Sequence, residues 1–150
     1  MGLIVNPVVF SSISNDWKTP QAIYNQLDFE FHFTFDPCPY QSNELMALLT
    51  KEWRGSVFVN PPYDNIENFM DKALLELRKG NARVVVFLVP SATSTDWWHN
   101  YVVPFCKDIR WIKGRLKFAN DKKGDRGSAP FASCILVFRN IFDKSLKEFF

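Results

Sequence analysis

Three observations predict an α/β protein whose sheet is mostly parallel, with antiparallel strands arriving late in the chain. The stretch "ARVVVFLVP" (82–90) is apolar at nearly every position, the mark of a strand covered on both faces. The preceding stretch, "NIENFMDKALLELRKG" (65–80), places Ile66, Phe69, Met70, Ala73, Leu74 and Leu77 at helical spacing and ends on Gly80. Helix-like and strand-like stretches also alternate along the chain, as they do when helices cover a sheet.

The elements follow in order. Residues 1–14 form an apolar-then-polar N-terminal arm without a regular period. In "DWKTPQAIYNQLD", Thr19 suits an N-cap and Pro20 the first helical position, and Ala22, Ile23 and Leu27 share a face. "FEFHFTFD" (29–36) alternates strictly, with Phe29, Phe31, Phe33 and Phe35 on one side and polar residues, His32 among them, on the other. This period of two predicts a strand that Pro37 and Pro39 end. "NELMALL" reads as a short helix or loop, "GSVFVN" as a second strand, and "TDWWHNYVVPF" as a short capped helix. "DIRWIKGRLKF" and "APFASCILVFRN" read as two late strands around the polar loop "ANDKKGDRGS". Nothing repeats and nothing reads as a linker, so residues 1–150 are expected to form one domain.

Composition bounds the function classes. With 47% apolar and 23% charged residues the chain is globular. A net charge of +2 gives no global field for a polyanion, so any nucleic-acid contact must come from a local patch. Cys38, Cys106 and Cys134 have neither disulfide-framework nor zinc spacing and suit a reducing cytosol. The start lacks a basic segment followed by a long apolar core, and Asn6 does not fit a myristoylated Gly2. No run approaches a membrane span, and the expectation is a cytoplasmic protein without membrane contact.

The chemistry gathers where strands end. "VFVNPPYDN" (57–65) leaves a buried strand on Asn60, then runs through two prolines that cannot donate backbone hydrogen bonds. An Asn60 amide oxygen and the Pro61 carbonyl, rigidly held, would grip an NH2 group from two sides and stabilise positive charge developing on it. Tyr63 would stack on a base taken out of a duplex. The bland reading, a strand terminator beside a surface ring, carries about half the weight for a bare four-residue match. The strand before the motif and the helix after it tip the balance towards function. In open α/β sheets ligands bind at carboxyl strand ends, and Asp36-Pro37 and Val89-Pro90-Ser91 also lie there.

Asn60-Pro61-Pro62-Tyr63 resembles the NPPY catalytic motif of amino-group DNA methyltransferases. The wider set resembles the phage-type DNA N-6-adenine methyltransferases, the phage Dam-like proteins. It comprises "DWKTP", "FDPCPYQSN", "VFVNPPYDNIENFMDKA", "VVVFLVPSATSTDWWH" and "RWIKGRLKF" with "APFASCILVF", colinear over residues 16 to 139. The resemblance implies a compact Rossmann-like methyltransferase fold, S-adenosyl-L-methionine as cofactor, and adenine in DNA as target. It also implies a catalytic role for Asn60, Pro61, Pro62 and Tyr63, and cofactor contacts from Asp36 and Pro37 and from Thr19 and Pro20. "DPCPYQSN" departs from the larger methyltransferases in having no glycine, and the interval from Asp36 to Asn60 is short.

Rival readings remain beside it. A methyltransferase-like module that binds DNA or a protein without catalysis would explain the missing glycines, and the same motif would serve N4 of cytosine. His99 beside Trp97 and Trp98 reads as structural, and Asp96 as helix-start charge. No nucleophilic triad, metal-ligand spacing or phosphate loop is present. The densest basic region, Arg115, Lys117, Lys122, Lys123 and Arg126 with Arg110 and Lys113, would anchor DNA through phosphates or be a solvated hairpin loop. With no separate recognition domain, specificity is expected from loops or from a second subunit, in a homodimer or with another partner.

Overall fold

The structure, a computed structural model, describes residues 18–39, 44–117 and 129–139. The N-terminal arm at 1–14 and Lys122, Lys123 and Arg126 lie outside these residues. A four-stranded sheet runs in the order β1 (Gly55–Val59), β2 (Ala82–Pro90), β4 (Ser133–Arg139), β3 (Asp108–Trp111). β1 pairs parallel with β2, and β4 pairs antiparallel with both β2 and β3. Hence β1, β2 and β3 point one way and only β4 opposes them. The mostly parallel sheet holds by strand direction, but just one of the two late strands is antiparallel to the rest.

Helices cover both faces. On one, α1 (Gln21–Phe31) buries Leu27 and Phe31 against Phe58, Val84, Val86, Leu88, Ile135 and Val137. On the other, α3 (Ile66–Lys79) lays Ile66, Phe69, Met70, Ala73 and Leu77 against Val57, Val59, Val85 and Phe87. Beside α3 lie a π-helical turn, Trp98–Val102, and the short α4 (Val103–Phe105). The remaining helix, α2 (Leu45–Thr50), precedes β1. Gly80 ends α3 at φ 79°, donating to the Glu76 and Leu77 carbonyls, in the left-handed conformation that glycine adopts without penalty. Among the described residues no helix is long and apolar enough to cross a membrane.

The alternating phenylalanines are where the fold departs from expectation. α1 runs through Phe31, so the predicted strand over 29–36 loses its first half to a helix. The reason is a competing period: Ile23, Leu27 and Phe31 recur every four residues and line the face packed on the sheet, while Phe29 is 84% exposed. His32 (φ 50°) then stops the helix in the left-handed conformation, with its N–H on the Asp28 carbonyl. Beyond it the period of two fails as well, for Phe33 and Phe35 face opposite sides of the sheet and residues 32–36 make only an isolated bridge. Phe33 packs with α1, Phe35 with the α3 face, and Phe35 forms a parallel bridge to Val57. The N-terminus of α1 also shifts by one residue, since Pro20 occupies the N-cap and Thr19 makes no capping bond.

One buried carboxylate ties α3 to the starts of two strands. Glu76 is 0% exposed, and its Oε2 accepts from the Trp53 N–H and Asn81 Nδ2, each at 3.0 Å. Its Oε1 lies 3.0 Å from Lys72 Nζ. Burial by itself would raise the pKa, but the bonds from Asn81, Lys72 and Trp53 outweigh it and hold the carboxyl below its ordinary value. Replacing Glu76 with Ala leaves three donors without their acceptor. The urea midpoint should fall by an amount equivalent to roughly 2–4 kcal/mol. An unchanged midpoint would show that this network does not hold the sheet.

Candidate active site

Parallel pairing brings several chain segments to one end of the sheet. The Phe35–Val57 bridge, backed by Phe58 N–H on the Phe35 carbonyl at 3.0 Å, sets Asp36 beside the end of β1. β1 and β2 align Val59 with Phe87, so Pro90 and Ser91 continue past Asn60's level. β2 and β4 align Pro90 with Ser133, which sets the segment before β4 at the same end. β3 also delivers its carboxyl end here, because Trp111 pairs with Cys134 next to Val89.

Side-chain alternation then aims Asn60. Val57 and Val59 face α3 while Phe58 faces α1. Two residues beyond Phe58, Asn60 falls on the α1 side. There its Nδ2 donates to Thr19 Oγ1 at 2.9 Å, just ahead of α1. No described residue donates to Asn60 Oδ1 or to the Pro61 carbonyl, whereas the Pro62 carbonyl accepts from Asn65 N–H at 3.0 Å in the turn that opens α3. Pro61 and Pro62 are buried and Asn60 is half-buried. Among the described residues, therefore, two acceptors have no donor, on a backbone that the prolines stiffen.

Tyr63 is held rather than freely displayed. Its ring meets Phe131 edge-on, with centroids 5.1 Å apart at 75°. Its hydroxyl is buried without a hydrogen-bond partner, and that burial pushes its pKa far above the ordinary phenol value. Phe131 is a neighbour that sequence reasoning missed. Within "APFASC" it reads only as the beginning of a strand, and its approach to Tyr63 depends on β4 lying against β2.

Asp36 is the charged group of the site. Its Oδ1 accepts from the Cys38 N–H at 2.8 Å. Burial raises its pKa from 3.8 to about 6, the Cys38 bond opposes that rise, and no cationic side chain contributes. Pro37 beside it is buried. The Thr19-Pro20 element, expected on the cofactor side, has its hydroxyl committed to Asn60.

The other candidates separate into those near this end and those engaged elsewhere. Arg115 and Lys117 are exposed on the stretch that leaves β3 at the site end. Ala129 N–H donates to the Leu116 carbonyl at 2.8 Å, closing the base of the basic loop. Arg110 is not part of a free basic surface, for it forms a bidentate pair with Glu30 at 2.8 and 2.7 Å and also binds Asp108. His99 Nε2 lies 2.8 Å from the Thr93 carbonyl and bonds its own loop, as a structural histidine does. Trp98 is buried and Trp97 half-buried. Among the described residues no cluster of histidine, cysteine and acidic side chains is arranged to hold a metal ion.

Comparison with known proteins adds one finding. Residues 9–149 match the family model described as DNA N-6-adenine-methyltransferase (Dam). No curated protein matches the chain.

The Asp36 environment carries a pH dependence whose sign is fixed. A carboxyl whose folded pKa exceeds its unfolded value favours folding at low pH, and that contribution is lost as pH rises through the folded pKa near 6. Asp36→Asn, which keeps an oxygen for the Cys38 N–H, should match the native protein near about pH 4 and exceed it by roughly 2–3 kcal/mol above about pH 7. Urea unfolding at both pH values measures it. Equal stability at the higher pH would mean that the carboxylate is not desolvated.

Proposed function

The chain belongs to the DNA N-6-adenine-methyltransferase family, and we propose that it methylates the exocyclic N6 amine of adenine in DNA by direct transfer from S-adenosylmethionine to a base flipped out of the duplex. The observation that carries this reading is a pair of acceptors at the carboxyl end of β1, Asn60 Oδ1 and the Pro61 carbonyl, to which no described residue donates. A primary amine offers two hydrogens, and a rigid pair of acceptors can take both. Holding them turns the nitrogen lone pair out of conjugation with the ring and toward an electrophile. The same oxygens stabilise the positive charge that grows on the nitrogen as it reacts. No covalent bond to the protein is required. Tyr63, three residues after Asn60, would supply the ring on which the extruded base stacks.

The residues present fit the cofactor. Asp36 is a half-buried carboxyl that no described cation neutralises, and S-adenosylmethionine carries both an ammonium and a sulfonium. Asp36 and Pro37 would hold it, and when bound it supplies the methyl group. A cation beside Asp36 would draw its pKa back down and keep it ionised at neutral pH. Arg115 and Lys117 would add sequence-independent phosphate contacts at the same end, with Lys122, Lys123 and Arg126 as further candidates from the sequence.

The direct test is transfer of a tritiated methyl group from S-adenosylmethionine to unmethylated DNA, followed by nucleoside analysis. Label in N6-methyladenine is the expected result. Label in N4-methylcytosine would assign the sister reaction, and no label would make the chain a binding module. Asn60→Ala should lower the transfer rate by about 100-fold or more, since it removes an acceptor whose bond strengthens as charge develops. Its stability should fall by only about 0.5–1.5 kcal/mol, the value of one hydrogen bond. Tyr63 separates ring from hydroxyl. Tyr63→Phe removes an unpartnered buried hydroxyl, so stability should stay equal or rise while transfer persists. Tyr63→Ala should weaken productive DNA binding by about 1–3 kcal/mol.

A further inference from the structure

An asparagine side chain has two ends of almost equal shape and opposite chemistry. Half a turn about its last bond exchanges the carbonyl oxygen for the NH2 group. At Asn60 the exchange would be fatal to an acceptor role, because an amide NH2 would then confront an amine with donor against donor. Something outside the motif must choose the end, since neither Pro61 nor Pro62 has an N–H to offer the amide oxygen.

Thr19 meets that need when its own hydroxyl proton is directed away from the amide, since a threonine hydroxyl can donate as well as accept. Its Oγ1 accepts from Asn60 Nδ2 at 2.9 Å across 41 positions of sequence. With the nitrogen end held, Oδ1 is turned away from Thr19 and receives no bond from a described residue. The anchor itself is firm. Thr19 precedes Pro20, whose carbonyl accepts from the Ile23 and Tyr24 N–H groups at 3.1 Å and so begins α1. The Tyr24 ring then packs edge-on against Phe58, centroids 5.2 Å apart, two residues before Asn60 on the same strand. Packing of α1 on β1 and the Thr19–Asn60 bond thus form one closed loop of contacts.

We propose that Thr19 is a positioning residue: acting as acceptor from Asn60 Nδ2, with its own hydroxyl proton turned away from the amide, it sets the amide oxygen toward the substrate amine. This rests on the function proposed above. It gives the hydroxyl a task separate from cofactor contact: Thr19 should govern the rate of transfer at bound substrate and leave cofactor affinity alone.

Thr19→Val is nearly isosteric and cannot accept a hydrogen bond, while Thr19→Ser can. Single-turnover methyl transfer, calorimetric affinity for the demethylated cofactor S-adenosylhomocysteine, and thermal unfolding should be measured for both. We expect Thr19→Val to slow transfer about tenfold with cofactor affinity within about twofold of the original, and Thr19→Ser to recover most of the rate. In an Asn60→Ala background Thr19→Val should change the residual rate by less than about twofold, because its target is gone. A full rate in Thr19→Val, a loss explained by weaker cofactor binding, or effects that multiply in the double variant would each overturn the proposal. The tether can also be read without turnover. The Asn60 side-chain amide signals in a 15N-labelled sample should move toward those of a free amide in Thr19→Val and stay in place in Thr19→Ser, and unmoved signals in Thr19→Val would overturn it. If the unaltered protein transfers no methyl group, the proposed function fails and the catalytic role of Thr19 with it, while the amide signals still report whether the hydroxyl orients Asn60.

Discussion

The buried Glu76 carboxylate is the interaction on which the rest of this molecule depends. It joins the last turn of α3 to the backbone before β1 and to the turn before β2, three places that must be fixed for two parallel strands to lie in register. A carboxylate removed from water is costly unless it is compensated, and here Oε2 accepts two hydrogen bonds while Oε1 faces the Lys72 ammonium at 3.0 Å. The Asn81 carbonyl, accepting from Gly55 N–H at 2.9 Å, extends the same knot to the first residue of β1. All of this happens at the amino ends of the strands. The site lies at the other ends, so strand length carries the precision of the knot to Asn60.

β1 is short and divides its side chains between two cores. Val57 and Val59 belong to the α3 side, Phe58 to the α1 side, and the residue after the strand inherits this alternation. A shift of one residue in β1 would turn Asn60 away from Thr19 and toward α3. Gly55 (φ 78°) guards the register from the other end. A Cβ there would lie 2.7 Å from Thr34 Oγ1, a hydroxyl already bound to the Arg54 and Ser56 carbonyls. Glycine is the residue that fits both the dihedral and the space.

The chemistry of the site follows from what is withheld as much as from what is supplied. Prolines remove donors, so the Pro61 carbonyl is not drawn into a ladder. Thr19 takes one end of the Asn60 amide and leaves the other. Asp36 is half-buried beside the strand end, with the Cys38 N–H as its hydrogen-bond partner among the described residues. Among the described residues each of these groups has fewer partners than it could bind.

Much of this was legible in the sequence by itself. The periods of α3 and β2, the strand before Asn60, the helix after Tyr63 and the colinear motifs determined the α/β class and pointed to the candidate loop at Asn60–Tyr63, because each depends on neighbours within a few residues. Periodicity misled where two periods overlapped: over Phe29–Phe35 the alternation of phenylalanines concealed the four-residue spacing of Ile23, Leu27 and Phe31, and burial against the sheet decided for the helix. The partners of the site residues were beyond local pattern. Thr19 against Asn60, Phe131 against Tyr63 and Arg110 against Glu30 join residues far apart in the chain. Those pairings, and the direction of β3, were decided only by the tertiary structure, because sheet order and helix packing bring distant residues together and a linear spacing records neither.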